Sequence, residues 1–306
     1  MNISLDVFNK STSTALQKIN EPLFERQGVS LFIKRIEQIH PVISGNKWYK
    51  LKYNLMRAKE RGYSTLVSFG GAYSNHIHAL ACVGKQTGFE TVGVIRGEEH
   101  GVLNPTLRFA VEQGMQLHYV NREHYRQKEM SSAVQTILDQ YTPCYVIPEG
   151  GSNMLAVRGC REIVEDIAEP FDVLCCASGT GGTLAGLVHG LKPAQRAIGF
   201  AVLKGANFLE RDVASLLQAV GASSSVSWQV CHDYHFGGYA KLTPELKAFI
   251  LAFEEKHGIS IEPVYTGKML YGMYDMIQRG VFHQGERVVV VHSGGLQGRE
   301  TAMSRA

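Results

Sequence analysis

The 306-residue chain lacks any apolar run approaching the roughly 18 residues that a membrane span needs. Its opening, MNISLDVFNKSTST, lacks the apolar core of a secretory signal peptide. Also missing is any CxxC pair. The six cysteines (Cys82, Cys144, Cys160, Cys175, Cys176 and Cys231) fall mostly inside apolar runs. Reduced, buried thiols in a cytoplasmic protein are the expectation. Charge of one sign is scarce too: the net charge is only +3, with basic residues scattered along the chain. That excludes the electrostatic footprint of nucleic-acid or membrane-surface binding, so neither partner is expected. No GxSxG elbow is present. His76 with His78, and His232 with His235, have no third ligand at a diagnostic spacing, so no metal is expected.

What the chain does have is glycine. The 32 glycines cluster in short turns and form no low-complexity tract, as an α/β protein with many strand-to-helix corners requires. Apolar runs predict strands at Ser64–Phe69, Thr91–Ile95, Gln116–Val120, Cys144–Ile147, Asp172–Ala177, Ile198–Leu203 and Arg287–His292. Amphipathic stretches predict helices near Lys47–Arg61, Asn75–Gly88, Ser131–Tyr141, Asn153–Ala168, Thr183–Leu191, Pro244–His257 and Gly267–Arg279. This alternation predicts an α/β fold of mostly parallel sheets flanked by helices, with length enough for two domains. In open α/β sheets a ligand sits beyond the C-terminal ends of the strands. Three glycine-containing segments occupy that position: FGGAYSNHIH (69–78), ASGTGGTLAG (177–186) and HSGGLQG (292–298), the last two expected to open helices.

Each segment has a chemical reading and a plainer one. In Ala177–Gly186, the glycines Gly179, Gly181 and Gly182 let backbone N–H groups converge, and Thr180 and Thr183 add hydroxyls. With the helix dipole these make a nest for a phosphate dianion. Taken alone, such a loop is as often a tight corner. No Lys follows it, and it comes too late for a dinucleotide fingerprint. In SGNKWYK (44–50), Lys47 starts a helix on an apolar stretch, where a lowered pKa would let its amine form an imine. An isolated lysine would more simply be solvated. After Gly70 and Gly71, Ser74, Asn75 and His76 enter a helix: Ser74 and the terminal amides suit a carboxylate, and Asn75 a phenolic oxygen. An N-cap role is an equally good reading. In EPVYTGK (262–268), Tyr265 is either a core-edge residue or an acid/base group. In HSGG (292–295), Ser293 suits a ring nitrogen, or the segment is a turn.

As an ordered set, G-N-K at 45–47, G-G-x-x-S-N-H at 70–76, G-T-G-G-T at 179–183, P-V-Y-x-G-K at 263–268 and H-x-G-G at 292–295 resemble the 1-aminocyclopropane-1-carboxylate (ACC) deaminase / D-cysteine desulfhydrase family. These are pyridoxal phosphate (PLP) enzymes of the tryptophan synthase β-like fold, fold type II. The resemblance runs from about Leu23 to the C-terminus. It implies a deaminating lyase or hydrolase acting on a small amino acid, and a homodimer. It implies that Lys47 holds PLP as a Schiff base, and that Asn75 bonds the ring oxygen. Ser178, Gly179, Thr180, Gly181, Gly182 and Thr183 would form the phosphate cup. Ser293 would face the pyridine nitrogen. Ser74, Asn75 and His76 would hold the substrate carboxylate, with Ser74 a possible nucleophile and Tyr265 an active-site tyrosine. Lys47 or Tyr265 would remove the Cα proton.

True ACC deaminases resemble G-G-x-x-S-N-Q with Tyr-Glu in the later motif, whereas this chain has His76 and Thr266 beside Ser293. That combination is closer to D-cysteine desulfhydrase, which yields pyruvate, ammonia and hydrogen sulfide. ACC deaminase, another PLP lyase and a non-catalytic PLP-binding protein are the alternatives. The segment HDYHFGGYAK (232–241) matches neither activity's pattern. The expected domains are 1–49 with 160–306, holding the phosphate, and 50–159, carrying the carboxylate loop.

Overall fold

Continuous apolar runs bounded by turns become strands buried on both faces, and the chain has several. VLCCAS and RVVVV, for example, are almost wholly shielded from solvent. The structure is a computed structural model and describes residues 3–9, 13–99, 101–222 and 225–304. Among the described residues ten strands form: β1 (Leu16–Ile19), β2 (Ser30–Lys34), β3 (Thr65–Gly71), β4 (Glu90–Arg96), β5 (Gln116–Val120), β6 (Cys144–Ile147), β7 (Val173–Ser178), β8 (Arg196–Ala201), β9 (Ser227–Cys231) and β10 (Arg287–Val291).

They make two sheets. One has six strands in the order β1-β2-β10-β7-β8-β9; the other has four, β5-β4-β3-β6. Every pairing is parallel except β1 with β2. Parallel strands need crossover connections, and helices supply them on both faces. This is the α/β arrangement of mostly parallel sheets that the alternation predicts.

All seven predicted strands and all seven predicted helices form, with ends shifted by a few residues. Three strands escaped notice. β1 and β9 are edge strands with half-exposed, mixed sequences. β2, SLFIK, ends in a lysine that reads as solvated, yet Lys34 is 1% exposed. Its ammonium ion-pairs with Asp166 at 2.7 Å and donates to the carbonyls of Thr14 (2.6 Å) and Asp166 (2.9 Å). A buried charge is tolerated when every donor has a partner. The helix expected after HSGG is reduced to a 3₁₀ turn, Leu296–Gly298, and one short helix, Arg299–Met303.

Two helix contacts set the site. The helix Asn46–Glu60 packs on Met154–Glu165, which packs in turn on Gly182–Gly190. The first crossing is so close that a Cβ on Gly159 would overlap the Tyr49 carbonyl. Only glycine permits that approach, and it draws the start of the Lys47 helix towards the Gly179–Thr183 loop.

Candidate active site

A cavity of about 940 Å³ opens where the parallel strands of both sheets end. Its wall comprises residues at or beyond the ends of β3 to β10, together with the start of the Asn46–Glu60 helix. Lys47, Ser74, Asn75, His76, Ser178, Gly179, Thr180, Gly181, Thr183, Tyr265 and Ser293 all line it. Of the candidates read from sequence, Gly182 alone stands off the wall. It backs onto Ser152 and Lys50.

Lys47 is aimed by its neighbours. Gly45 has φ +64, and a side chain there would overlap the Ser293 carbonyl. The Asn46 backbone N–H donates to that same carbonyl at 3.3 Å. The Asn46 side-chain amide donates to Thr183 Oγ1 at 2.8 Å. Adjacent residues thus tie the lysine's helix to both the HSGG turn and the glycine loop. Burial, then the nearby Lys50 ammonium, lowers the Lys47 pKa to about 7. A substantial share of Lys47 is therefore an uncharged, nucleophilic amine at neutral pH.

The glycine loop has the makings of an anion cradle. Gly181 takes φ +73 before the helix Gly182–Gly190, whose first N–H groups have no carbonyl four residues back to bond. Those donors and the positive end of the helix dipole favour an anion. Thr180 Oγ1 and Ser152 Oγ lie 2.6 Å apart, and the Lys50 ammonium donates to Ser152 Oγ and the Gly150 carbonyl, both at 3.0 Å. Lys50 is 2% exposed and burial lowers its pKa. Its two protein acceptors leave one ammonium hydrogen for a third.

The opposite wall is built from side chains. Ser74 caps the helix Asn75–Thr87, accepting from the Ile77 N–H at 3.3 Å. Its hydroxyl proton remains available, so the capping role and a ligand-facing role coexist. Asn75 accepts at Oδ1 from Gln297 Nε2 (2.7 Å), and Gln297 Oε1 accepts from Thr106 (2.9 Å). With its oxygen engaged, Asn75 offers its amide hydrogens as the free end. His76 Nε2 lies 2.8 Å from Ser68 Oγ, whose proton goes to the Ile147 carbonyl at 2.7 Å. His76 must then be the donor in that pair, which leaves Nδ1 a bare acceptor, buried without a partner. Burial first, then Lys47 and Lys50, holds the His76 pKa well below the usual histidine range.

Tyr265 precedes the helix Thr266–Gln278, and its ring meets that of Tyr239 edge-on, with centroids 6.1 Å apart. Glu262 sets its backbone: the carboxylate accepts from the N–H groups of Val264 (2.7 Å), Tyr265 (2.9 Å) and Thr266 (2.6 Å). Burial raises the Glu262 pKa to about 7 against the lowering effect of those donors. Below Ser293, His292 donates to the Ser260 carbonyl at 2.8 Å and fixes the base of the turn.

Sequence reasoning passed over Lys50, Ser152, Glu262 and Gln297. Lys50 had a signal, because it lies one helical turn after Lys47 and so on the same face. Ser152 and Gln297 had none, since they reach the site only through the tertiary fold.

Pyridoxal phosphate has four handles: a phosphate dianion, an aldehyde, a phenolic oxygen and a ring nitrogen. The cavity offers each a chemical match, in the glycine loop with Lys50, the Lys47 amine, the Asn75 amide and the Ser293 hydroxyl. The site and fold together define a PLP enzyme of fold type II. A family model described as "Pyridoxal-phosphate dependent enzyme" matches residues 11–294, and the chain belongs to that family. It is 32% identical to a Pyrococcus furiosus protein provisionally named 1-aminocyclopropane-1-carboxylate deaminase, over 89% of this chain and 86% of that one. It is 26% identical to the D-cysteine desulfhydrase of Serratia proteamaculans, over 93% and 92% of the two chains. The crystal structure of an ACC deaminase homologue superposes with a TM-score of 0.83 at 25% identity, covering 98% of both chains. These findings make the chain a PLP-dependent lyase. The hydrolase class expected alongside is set aside, because the matching family and the named relatives point to a lyase.

Proposed function

We propose that the chain is a D-cysteine desulfhydrase, converting D-cysteine to pyruvate, ammonia and hydrogen sulfide. The observation that carries the reading is one cavity in which a low-pKa amine, Lys47, is tied through Asn46 to the anion cradle at Thr183.

When bound, PLP supplies an electron sink conjugated to the substrate's Cα. The Gly179–Thr183 loop, Ser178 and Lys50 hold its phosphate, Asn75 donates to its ring oxygen, and Ser293 bonds its ring nitrogen. A hydroxyl at that nitrogen protonates it less than a carboxylate would, which suits loss of a good leaving group such as thiolate. Ser74, Asn75 and His76 form the loop that receives the substrate carboxylate, with Ser74 and the first-turn N–H groups as donors. Lys47 Nζ takes the Cα proton; Tyr265, kept protonated far above the usual tyrosine range by burial and by Tyr239, steadies the substrate beside it.

The strand partition supports domains of 1–49 with 160–306 and of 50–159, with the cofactor between them. No helix among the described residues is long and apolar enough to cross a membrane. A homodimer working in the cytoplasm completes the proposal, and size-exclusion chromatography with light scattering tests the dimer.

ACC deamination is the second reading, favoured by the names of several relatives. D-cysteine, L-cysteine, D-serine and ACC, assayed in parallel for keto acid and sulfide, decide between them. Sulfide release from D-cysteine is expected. Turnover of ACC without sulfide release from D-cysteine overturns the assignment.

A further inference from the structure

The segment 232–241 matched neither activity's sequence pattern, and its backbone is unusual. Phe236, Gly237, Gly238 and Ala240 all have positive φ: +52, +90, +125 and +54. Two of these are not glycine, and such residues adopt this region only when their surroundings compel it. The strained run carries Tyr239, which lines the cavity and meets the Tyr265 ring edge-on, with centroids 6.1 Å apart.

What compels it is on one helix, Thr266–Gln278. Tyr234, at the start of the segment, is packed against Gly272 and donates to Asp275 at 2.6 Å. Phe236 meets Tyr271 edge-on, with ring centroids 4.9 Å apart. Lys268 is 1% exposed, and its ammonium donates to the carbonyls of His235 (2.9 Å), Gly238 (2.7 Å) and, more distantly, Val202 (3.5 Å). A buried ammonium needs three acceptors, and three backbone carbonyls at the segment and at the end of β8 supply them. Hydrogen bonds to a charged donor are about twice as strong as neutral ones. The helix that begins beside Tyr265 therefore also fixes the segment that carries Tyr239.

We propose that Lys268 is a positioning residue: its ammonium clamps the 235–238 backbone and thereby holds Tyr239 against Tyr265 on the substrate side of the cavity. The proposal rests on the proposed function only in that turnover is read on D-cysteine. Burial lowers the Lys268 pKa to about 8, partly offset by Glu262, so the clamp is charged at neutral pH.

The test uses PLP-loaded protein and Lys268→Met, which keeps an apolar stem of similar length and removes the charge. Backbone amide exchange over 235–241 is expected to quicken at least about tenfold, with the rest of the chain unchanged. Turnover is expected to fall about 10- to 100-fold, as misplacement of a group by about 1 Å can cause. In a Tyr239→Ala background the same substitution should cost less than about twofold more, because the two changes act through one contact. Gly238→Ala, strained at φ +125, keeps the ammonium but displaces the Gly238 carbonyl that accepts from it, and covers the case in which Lys268→Met fails to fold. It should reproduce both effects. Unchanged exchange at 235–241 in whichever variant folds overturns the clamp, and that readout needs no substrate. Should D-cysteine prove inert, the kinetic arm uses the compound in the panel that releases keto acid. Effects of Lys268→Met and Tyr239→Ala that multiply independently overturn the route through Tyr239.

Discussion

The two walls of the cavity are built on different principles. The wall carrying Lys47, the Gly179–Thr183 loop and Ser293 is fixed mainly by backbone: the Asn46 N–H bonds the Ser293 carbonyl, Gly45 leaves no room for a side chain, and Gly181 turns the loop into its helix, with the Asn46 side chain adding one bond to Thr183. The facing wall, Ser74 to His76, is fixed by side-chain bonds to Gln297 and Ser68. A backbone contact can survive substitution of the residue that makes it, whereas a side-chain contact is lost with its side chain. The first wall suits a ligand common to a whole family, and the second, Asn75 apart, a substrate that varies.

The largest test of this contrast is Lys47→Ala. On the backbone wall one amine is both cofactor anchor and base, so turnover should fall by at least about 10³-fold. Keto-acid release measures it, and near-normal turnover would break the scheme. The same amine predicts a pH dependence. Below its pKa of about 7 Lys47 is protonated and cannot attack an aldehyde, so PLP uptake by the apoprotein should slow about tenfold per pH unit there and level off above. An ordinary lysine would keep gaining to near pH 10.

Gly45→Ala comes next. It combines a side chain at φ +64 with overlap of the Ser293 carbonyl, a cost of about 2–4 kcal/mol. Urea unfolding should record that loss, together with weakened PLP retention. Ser74→Ala, on the other wall, removes one helix cap worth about 1 kcal/mol and one candidate carboxylate donor. Its effect should fall on KM for the substrate while PLP stays bound. Equal loss of cofactor in both variants would erase the distinction between the walls.

The same contrast explains what the sequence could reveal. Glycines at a strand end announce a backbone nest, so the 179–183 loop and the HSGG turn were legible, as was the alternation that gives the two sheets. Lys34 and Lys268 were not. Each is a lysine whose burial depends on carbonyls from distant segments, and single-sequence reasoning prices a lysine as solvated. Gln297 was equally hidden, because its hydrogen bonds reach 191 and 222 positions along the sequence; Glu262 bonds N–H groups only two to four residues on, and it was its burial that the sequence did not show. What remained obscure was the layer that aims the site residues.

His76→Gln is the mildest and most discriminating test. The ring is locked by Ser68 as an Nε2 donor, and its Nδ1 lone pair meets no protein group. Burial beside Lys47 and Lys50 disfavours the protonated form, so His76 should stay neutral through the neutral range and add no inflection near pH 6.5 to the activity profile. Glutamine can still donate to Ser68 but replaces the aromatic acceptor with an amide. Stability should change little, since one buried hydrogen bond is exchanged for another. The ratio of kcat/KM for D-cysteine to that for ACC should fall a few-fold, about 1 kcal/mol of differential transition-state binding. If the ratio holds while both rates drop together, His76 supports the fold of the wall rather than its choice of substrate. If the ratio moves while PLP retention does not, selectivity resides in the side-chain wall.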